Sequence, residues 1–326
     1  MKRWKLGVLA CLVAVSLSAL LVGCQSQSYT PAGKDPAVAD SSLVKGGVLR
    51  VGVNAASAPL AGQTSSSSRI VGIDVDVAAY LADELGLKVE IVDVGTDPAS
   101  ALEEGTVDVA LGVDASTDND MDCWRSSAYL KTGVALFGAK DESSVPTVDS
   151  KPKVGAQASS KSSWRVTNLF GDESLVTEND LKSAFESLGK GSVDYVAADA
   201  VIGTYVSTTN DYADKIVALL QEPSGYCAAV ASKNAELQKA VDNAVKTLVN
   251  GGAMQVIEGK WLGGPLDMDN MTIVKGAGSD SGASSTEGES AAPAEGEAAA
   301  EAPAEGEAAP EAPAEGVIEG GEAAGA

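Results

Sequence analysis

The chain has 326 residues, room for about two domains, and its formal net charge is −23 with only 4% aromatic residues. A chain this acidic lacks the basic face and the stacking side chains that nucleic-acid binding needs, so nucleic acid is excluded as a partner. Removing the twelve acids that follow Lys275 leaves −11 for residues 1–275. We therefore expect an acidic globular body with a separate acidic tail.

The N-terminus reads as a secretory signal. Residues 1–23 join a short basic run to a long apolar stretch, which is typical of a signal peptide. A single uncleaved span is the alternative, because about 17 apolar residues is the lower limit for crossing a bilayer. "LVGC" at 21–24 resembles the lipobox of bacterial lipoproteins and implies lipidation of Cys24. We predict an extracytoplasmic protein, in a periplasm or at a cell surface, lipid-anchored to the outer face of the cytoplasmic membrane.

Two further segments have no hydrophobic periodicity. Residues 24–44 are polar and contain two prolines, so we predict a flexible tether. Residues 276–326 consist mainly of Gly, Ser, Ala, Pro and Glu, and "PAEGEAA" occurs at 293–299 and again at 303–309. This acidic repeat has almost no large apolar side chains to bury, so we predict a disordered tail.

Between these segments, strands and helices alternate. Hydrophobic periodicity predicts, in chain order, strand 48–53, helix 74–86, strand 88–94, helix 97–105, strand 107–112, strand 153–156, helix 161–170, strand 174–177, helix 178–189 and strand 193–198. Two short segments also have similar sequences: "EEGTVDVALG" at 103–112 and "GKGSVDYVAA" at 189–198. The pattern predicts an α/β protein with two similar lobes, each a mostly parallel sheet flanked by helices.

Asp199 stands where the strand at 193–198 ends and a helix begins. Ligands of open α/β sheets collect beyond the carboxyl ends of the strands, which favours a binding role. The alternative is a helix N-cap, for which Asp is a preferred residue. The residues alone leave both interpretations open.

A known family resembles this chain in two phrases. "GIDVDVAAYLADEL" at 72–85 resembles the signature of the family 3 extracellular solute-binding proteins, the polar amino-acid receptors of ABC transporters. "GGAMQVIEGKWLG" at 251–263 is similar to the closing helix of that family. The resemblance implies a two-lobe, type II periplasmic-binding-protein-like fold with two hinge crossovers and a ligand cleft between the lobes. Lobe 1 would comprise 45–137 plus 224–265, and lobe 2 would comprise 138–223.

The resemblance also implies residue roles. Asp199 matches the carboxylate that grips the α-ammonium of the ligand. "QASSKSS" at 157–163 matches a Gly-Thr-Thr stretch and places Ser160, Lys161 and Ser162 where a helix start would meet the ligand carboxylate. The alternative is a serine-rich helix cap with a solvated lysine.

Lobe 1 departs from the family pattern. In "GVDASTDND" at 112–120, Asn119 occupies the position of the arginine that forks onto the ligand carboxylate, and Asp114 occupies a hydroxyl position. The segments at 54–62 and 93–100 lack the aromatic platforms of the family. Asn54 and Ser116 complete the candidate ligand-binding set.

Three explanations compete for this departure. In the first, the register is shifted and Arg125, beside Trp124, points into the cleft. In the second, the ligand is a cation that lies between Asp114 and Asp199. In the third, small-molecule binding has been lost. Two close carboxylates repel each other unless a positive ligand or Lys161 lies between them. The charges favour a cationic amine.

The two cysteines outside the predicted signal peptide and the lipidation site predict a disulfide. Cys123 and Cys227 form an even pair in an oxidising compartment. The two-lobe arrangement would place both in lobe 1, where a bridge would brace that lobe without locking the hinge. Two free buried thiols are the alternative.

Catalytic motifs are missing from the sequence. The chain has no histidine, and no nucleophile elbow, P-loop or dinucleotide-binding glycine motif follows a strand. We therefore expect no enzyme activity, no metal and no cofactor. The expected function is a monomeric substrate-binding lipoprotein that delivers an amino acid or amine-type solute to ABC permease subunits. The alternative is a surface interaction, adhesion or sensory protein on the same fold without a transported ligand.

Overall fold

The computed structural model describes residues 33–64, 68–115, 122–142, 144–274 and 276. The predicted signal peptide, the predicted lipidation site Cys24 and nearly all of the acidic tail lie outside the described residues. Within the described ranges, no helix has both the length and the apolar character needed to cross a bilayer.

The described residues form alternating strands and helices. The strands are β1 (Val48–Val53), β2 (Ala56–Ser57), β3 (Ala61–Gln63), β4 (Ile70–Val71), β5 (Lys88–Asp93), β6 (Val109–Asp114), β7 (Cys123–Arg125), β8 (Leu130–Thr132), β9 (Val134–Ala139), β10 (Val154–Gln157), β11 (Leu175–Glu178), β12 (Tyr195–Asp199), β13 (Asp214–Leu219) and β14 (Ser224–Ala231). The α-helices are α1 (Ile73–Glu84), α2 (Pro98–Glu103), α3 (Lys161–Phe170), α4 (Leu181–Gly189), α5 (Ala200–Thr209), α6 (Ala235–Asn250) and α7 (Ala253–Leu262).

Two mixed sheets define two lobes. The lobe 1 sheet has the order β5-β1-β6-β14-β7, with β8 also paired to β14, and its β1, β5 and β6 are parallel. The lobe 2 sheet has the order β11-β10-β12-β9-β13, with β10, β11 and β12 parallel and β9 antiparallel to β12. Strands β2, β3 and β4 form a separate small sheet before α1. The predicted two-lobe α/β architecture is therefore confirmed.

The repeated Val-Asp phrase has one structural role in both lobes. Asp108 donates its backbone N–H to the carbonyl of Arg50, and its carboxylate accepts the Arg50 N–H at 2.8 Å. Asp194 makes the same two-point contact with Lys153, whose N–H lies 2.8 Å from the carboxylate. Each aspartate thus holds the start of its own strand to the neighbouring strand of the sheet, which explains why the phrase recurs.

The 72–85 phrase is constrained by backbone packing and by the closing helix. Gly72 has φ of +149°, and a Cβ there would lie 2.2 Å from the carbonyl oxygen of Leu60, so only glycine fits. Asp76 accepts hydrogen bonds from Trp261 Nε1 at 2.7 Å and Lys260 Nζ at 2.9 Å. These contacts connect α1 with α7 and so link the two phrases that carry the family resemblance.

The first hinge lies earlier than the sequence predicts. We expected the boundary between residues 137 and 138, but β9 pairs with β12 and β13 in the lobe 2 sheet. The crossover therefore falls at Gly133, between β8 and β9. The return crossover joins β13, which ends at Leu219, to β14, which begins at Ser224.

The predicted tether is wrong over its second half. The Ala37 N–H donates to the carbonyl of Leu85, the Ala39 N–H donates to Glu236, and the Val38 side chain is buried in lobe 1. A single buried valine and a few backbone hydrogen bonds fix this segment, and composition does not reveal them. The rest of the tether, through residue 32, lies outside the described residues.

A third connection joins the lobes. After α7 the chain returns to lobe 2, where the Leu219 N–H donates to Thr272 and the Val274 N–H donates to Leu219. Met268 is buried there, and Val274 packs into the lobe 2 core. Residues 266–274, which the sequence did not assign to a lobe, form this C-terminal strap.

The predicted disulfide is wrong. Cys123 and Cys227 are free cysteines; Cys123 pairs with Ala231 on β14, whereas Cys227 pairs with Val113 on β6. The four-residue offset along β14 separates the two positions by about 13 Å at the usual rise of a strand. A disulfide needs Cα atoms within about 7 Å, so this register holds the thiols apart.

Candidate functional site

The cleft lies where the carboxyl ends of strands from the two lobes meet. Lobe 1 contributes Asp114 at the end of β6, and lobe 2 contributes Asp199 at the end of β12 together with the first turn of α3. Helices α3 and α5 both start at this edge, so their free N–H groups face the same region. The topology thus gathers polar groups at the edge where open α/β sheets bind ligands.

Asp199 is held rigidly by three hydrogen bonds. One carboxylate oxygen accepts the N–H groups of Val201 and Ile202 at 2.9 and 3.0 Å, and the other accepts the Thr132 hydroxyl at 2.6 Å. Burial raises its pKa, these hydrogen bonds oppose the rise, and the charge of Asp114 adds to it. Asp199 is therefore both an N-cap and a carboxylate close to the opposite lobe, so the two interpretations from the sequence are compatible.

Thr132 and Tyr226 are site residues that sequence reasoning missed. Thr132 is buried at the end of β8, beside the hinge. Tyr226 pairs with Asp114 across β6 and β14. Burial strongly raises the Tyr226 pKa, with further increases from the charges of Asp199 and Asp114, so its hydroxyl stays neutral among carboxylates. The sequence signal that could have indicated them is their position, because each is a hydroxyl-bearing residue within a few residues of a crossover between the lobes.

Asp74 lies in the lobe 1 wall. It is 1% exposed, and the Tyr129 hydroxyl donates to it at 2.5 Å while accepting the Gly112 N–H at 2.8 Å. Gly112 has φ of +73°, and a Cβ there would lie 2.7 Å from the second carboxylate oxygen of Asp74. Burial raises the pKa of Asp74 to about 7, and the Tyr129 hydrogen bond opposes the rise. This acid from the 72–85 phrase thus sits close to its titration point at neutral pH.

The first turn of α3 is capped by a serine, and its lysine side chain reaches across the cleft. Ser160 caps the helix by accepting the Ser163 N–H at 3.0 Å, and Ser162 is buried. Lys161 Nζ lies 3.1 Å from a carboxylate oxygen of Asp114, and its side chain is 78% exposed. The serine-rich cap that was the alternative interpretation is therefore present, and its lysine forms an ion pair with the opposite lobe.

A cavity of about 780 Å³ lies in lobe 1 and reaches the end of β6 at Asp114, but Asp199 and the first turn of α3 do not belong to its wall. Its wall includes Asn54, whose side-chain oxygen accepts the Ala56 N–H. Among the described residues, the charged groups of the wall are mostly acidic: Asp74, Asp97, Glu103, Asp114, Asp122 and Lys233. Such a lining concentrates cations near the cleft.

The remaining candidates divide into three groups. Ser116 and Asn119 lie outside the described residues. Arg125 is in β7, paired with Ala229, and does not belong to the cavity wall, while Trp124 packs against the lobe 1 core. Within the described part of the chain, no group of three or more His, Cys, Asp or Glu side chains is arranged to hold a metal ion.

Known proteins are similar to this chain over most of their length. The family model described as bacterial extracellular solute-binding proteins, family 3, matches residues 49–264. The L-cystine-binding protein TcyA of Bacillus subtilis (strain 168) is 24% identical over 263 residues, which is 79% of this chain and 98% of that protein. The L-cystine-binding protein TcyJ of Escherichia coli (strain K12) is 27% identical over 260 residues, which is 77% of this chain and 94% of that protein.

Solved structures share the fold. An ancestral cationic amino acid solute binding protein superposes with a TM-score of 0.59 at 24% identity, covering 68% of this chain and 99% of that one. The L-cystine solute receptor of Neisseria gonorrhoeae, in its unliganded open conformation, gives a TM-score of 0.58 at 21% identity, covering 67% and 93%. At these identities the likeness establishes the fold alone.

Proposed function

The chain belongs to the bacterial extracellular solute-binding proteins of family 3, and from that premise we propose that it is the substrate-binding protein of an ABC importer. It has the type II periplasmic-binding-protein-like fold of its structural neighbours. In the proposed cycle a small amino acid or amine-type solute enters the interlobe cleft, the lobes close on it, and the closed form delivers it to the permease. The similar TcyA and TcyJ are named as L-cystine-binding proteins, which supports an amino-acid-related solute.

One observation carries this proposal: the anchored carboxylate of Asp199 at the cleft. Its three hydrogen bonds fix its orientation before a ligand arrives, so little ordering is needed on binding. A ligand ammonium bound there gains a charge-assisted hydrogen bond, which contributes about 1.5–3 kcal/mol. The acidic cavity wall favours a positive ligand further.

The cellular setting is part of the same proposal. We propose that the chain is exported, that Cys24 carries the lipid anchor, and that the protein works as a monomer outside the cytoplasmic membrane. Mass spectrometry of the N-terminal peptide tests the lipid, and light scattering tests the monomer. Uptake of the bound solute by cells should fall when the chain is deleted.

A thermal-shift screen of amino acids, polyamines and quaternary amines tests the binding function. Asp199→Asn should keep the fold, because an amide oxygen still accepts the N–H groups of Val201 and Ile202. It should weaken the identified ligand by about 10- to 100-fold, because the charge-assisted hydrogen bond is lost. Asp180→Asn is the control. Asp180 caps α4, which follows the outermost strand β11 of the lobe 2 sheet, by accepting the Ser183 N–H at 2.7 Å.

Two results would contradict the proposal. If Asp199→Asn and Asp180→Asn bind the ligand equally well, Asp199 does not grip it. If no solute stabilises the protein, a surface interaction role on the same fold becomes the better explanation.

A further inference from the structure

We propose that the two lobes stay packed together when no solute is bound, because helix α5 of lobe 2 is seated on lobe 1. Three side chains of α5 make this contact: Val201, Tyr205 and Thr208, here called the interlobe stripe. The inference goes beyond the proposed binding function, since it concerns how far the lobes separate between binding events.

Helix α5 is fixed to lobe 2. It follows β12 directly, and its Ala200 and Val206 pack into a lobe 2 core. A Cβ at Gly203 would lie 2.5 Å from the ring of Phe137 on β9, so the helix approaches the lobe 2 sheet at a distance that only glycine allows. When lobe 2 moves relative to lobe 1, α5 must move with it.

The opposite side of α5 contacts lobe 1. The residues of the interlobe stripe are four and three positions apart, so they line one face of the helix. Val201 is fully buried within the lobe 1 core, and Tyr205 packs against the same core. The Thr208 hydroxyl donates to the carbonyl of Leu262, the last residue of α7, at 3.3 Å. A helix that is fixed to lobe 2 thus has one side seated on lobe 1.

The C-terminal strap adds to this contact at the hinge. Leu266 packs against the cores of both lobes. On β8 the Thr132 hydroxyl donates to Asp199, whereas Lys131, the preceding residue, donates through Nζ to Asp269 of the strap. Successive side chains of a strand point to opposite faces. The strap therefore lies on the side of β8 that faces away from Asp199.

Wide separation of the lobes would break these contacts. It would expose the buried Val201 and part of Tyr205 to water, and the cost of that exposure grows with the apolar area. The Lys161–Asp114 pair across the cleft resists separation less, because the lysine side chain is 78% exposed and exposed ion pairs contribute little. Without solute, the lobes therefore keep α5 on lobe 1, and the exposed ion pair opens first.

Pulsed EPR on the full chain without solute measures the separation of the lobes. Thr96 and Ala158 are exposed residues that follow β5 in lobe 1 and β10 in lobe 2, at the edges where the sheets face each other. Each is replaced by a genetically encoded keto amino acid that carries a nitroxide, and the cysteines stay unchanged. Unfolding and refolding beforehand removes copurified solute. Wild type should give one narrow population, at the separation of these positions in the structure.

The stripe variants should open the lobes. Val201→Ala should raise the ratio of longer to wild-type distances by about tenfold, because two buried methyl groups lose their contact with lobe 1. Adding Tyr205→Ala should raise the ratio further. Val206→Ala is the matched control: it makes the same change in the same helix, but Val206 packs into lobe 2, so the ratio should stay at the wild-type value.

Leu266→Ala tests the contact from the strap and should also produce longer distances. It carries the test if the double stripe variant does not fold, which circular dichroism shows.

Every result decides the inference. Longer distances in the stripe variants, with one narrow population in wild type and in Val206→Ala, support it. A broad or longer wild-type distribution overturns it, and so do stripe and Leu266→Ala variants that match Val206→Ala. Both contrary results leave the proposed binding function intact, because the measurement contains no solute.

Discussion

Replacing Asp74 by Asn should change how the stability of the protein depends on pH. Asp74 is buried in the lobe 1 wall, where the Tyr129 hydroxyl donates to it. An amide oxygen at the same position still accepts that hydroxyl, so the local geometry is kept. The substitution removes the ability to ionise.

The magnitude follows from the shift in pKa. Burial raises the pKa of Asp74 from 3.8 to about 7. Because the folded value is the higher one, the folded state binds more protons between these values, and the stabilisation from the buried neutral acid is complete below about pH 4 and lost as pH rises through 7. At about 1.4 kcal/mol per unit, the wild-type protein should lose about 3 kcal/mol from this group between pH 5 and pH 8.

Urea denaturation at pH 5, 6, 7 and 8 measures this loss. The free energy of unfolding of Asp74→Asn, taken relative to wild type, should rise by about 3 kcal/mol across the series, since all other titrating groups are shared. Tyr129→Phe is the partner control. It removes the hydroxyl that opposes the rise of the Asp74 pKa, so it should lower stability and keep or enlarge the pH dependence.

A constant difference between Asp74→Asn and wild type from pH 5 to pH 8 would refute this reasoning. It would mean that Asp74 is ionised throughout that range, and that water or another group compensates its charge.

Three other predictions concern the fold. Asp76→Ala should lower the free energy of unfolding by about 1–3 kcal/mol, because Trp261 Nε1 loses its 2.7 Å partner; an unchanged urea midpoint would contradict this. Met268→Ala should lower the free energy of unfolding by about 2–5 kcal/mol, because Met268 is only 1% exposed. It should also reduce hydrogen-exchange protection in lobe 2. Loss of protection in lobe 1 alone would show that the strap does not attach to lobe 2. Alkylation under non-reducing conditions should find Cys123 and Cys227 unbridged, with Cys227 slower because burial raises its thiol pKa; a disulfide-linked peptide pair would contradict the register of β14.

Local hydrophobic periodicity predicts most of the secondary structure. The strand expected at 48–53 is β1 with the same bounds, and the helix expected at 161–170 is α3 with the same bounds. These elements follow from side-chain spacing within a few turns or pleats, and the sequence contains that information directly.

Strand partners were harder to predict. The apolar run of β9 would fit either sheet, and only its pairing with β12 assigns it to lobe 2 and moves the hinge to Gly133. The strap was missed for a similar reason, since one pairing between Leu219 and the segment around Ile273 attaches it to lobe 2.

Composition and short-range periodicity are local properties, and they predict two α/β units, an acidic body and a carboxylate at the end of a strand. Which side chains meet is known only from the packing of distant segments. This packing brought Lys161 to Asp114 across the cleft and set Tyr226 beside Asp114, and it kept Cys123 away from Cys227. Those contacts depend on strand register and on how one lobe faces the other, and both are fixed only when residues distant in sequence pack together.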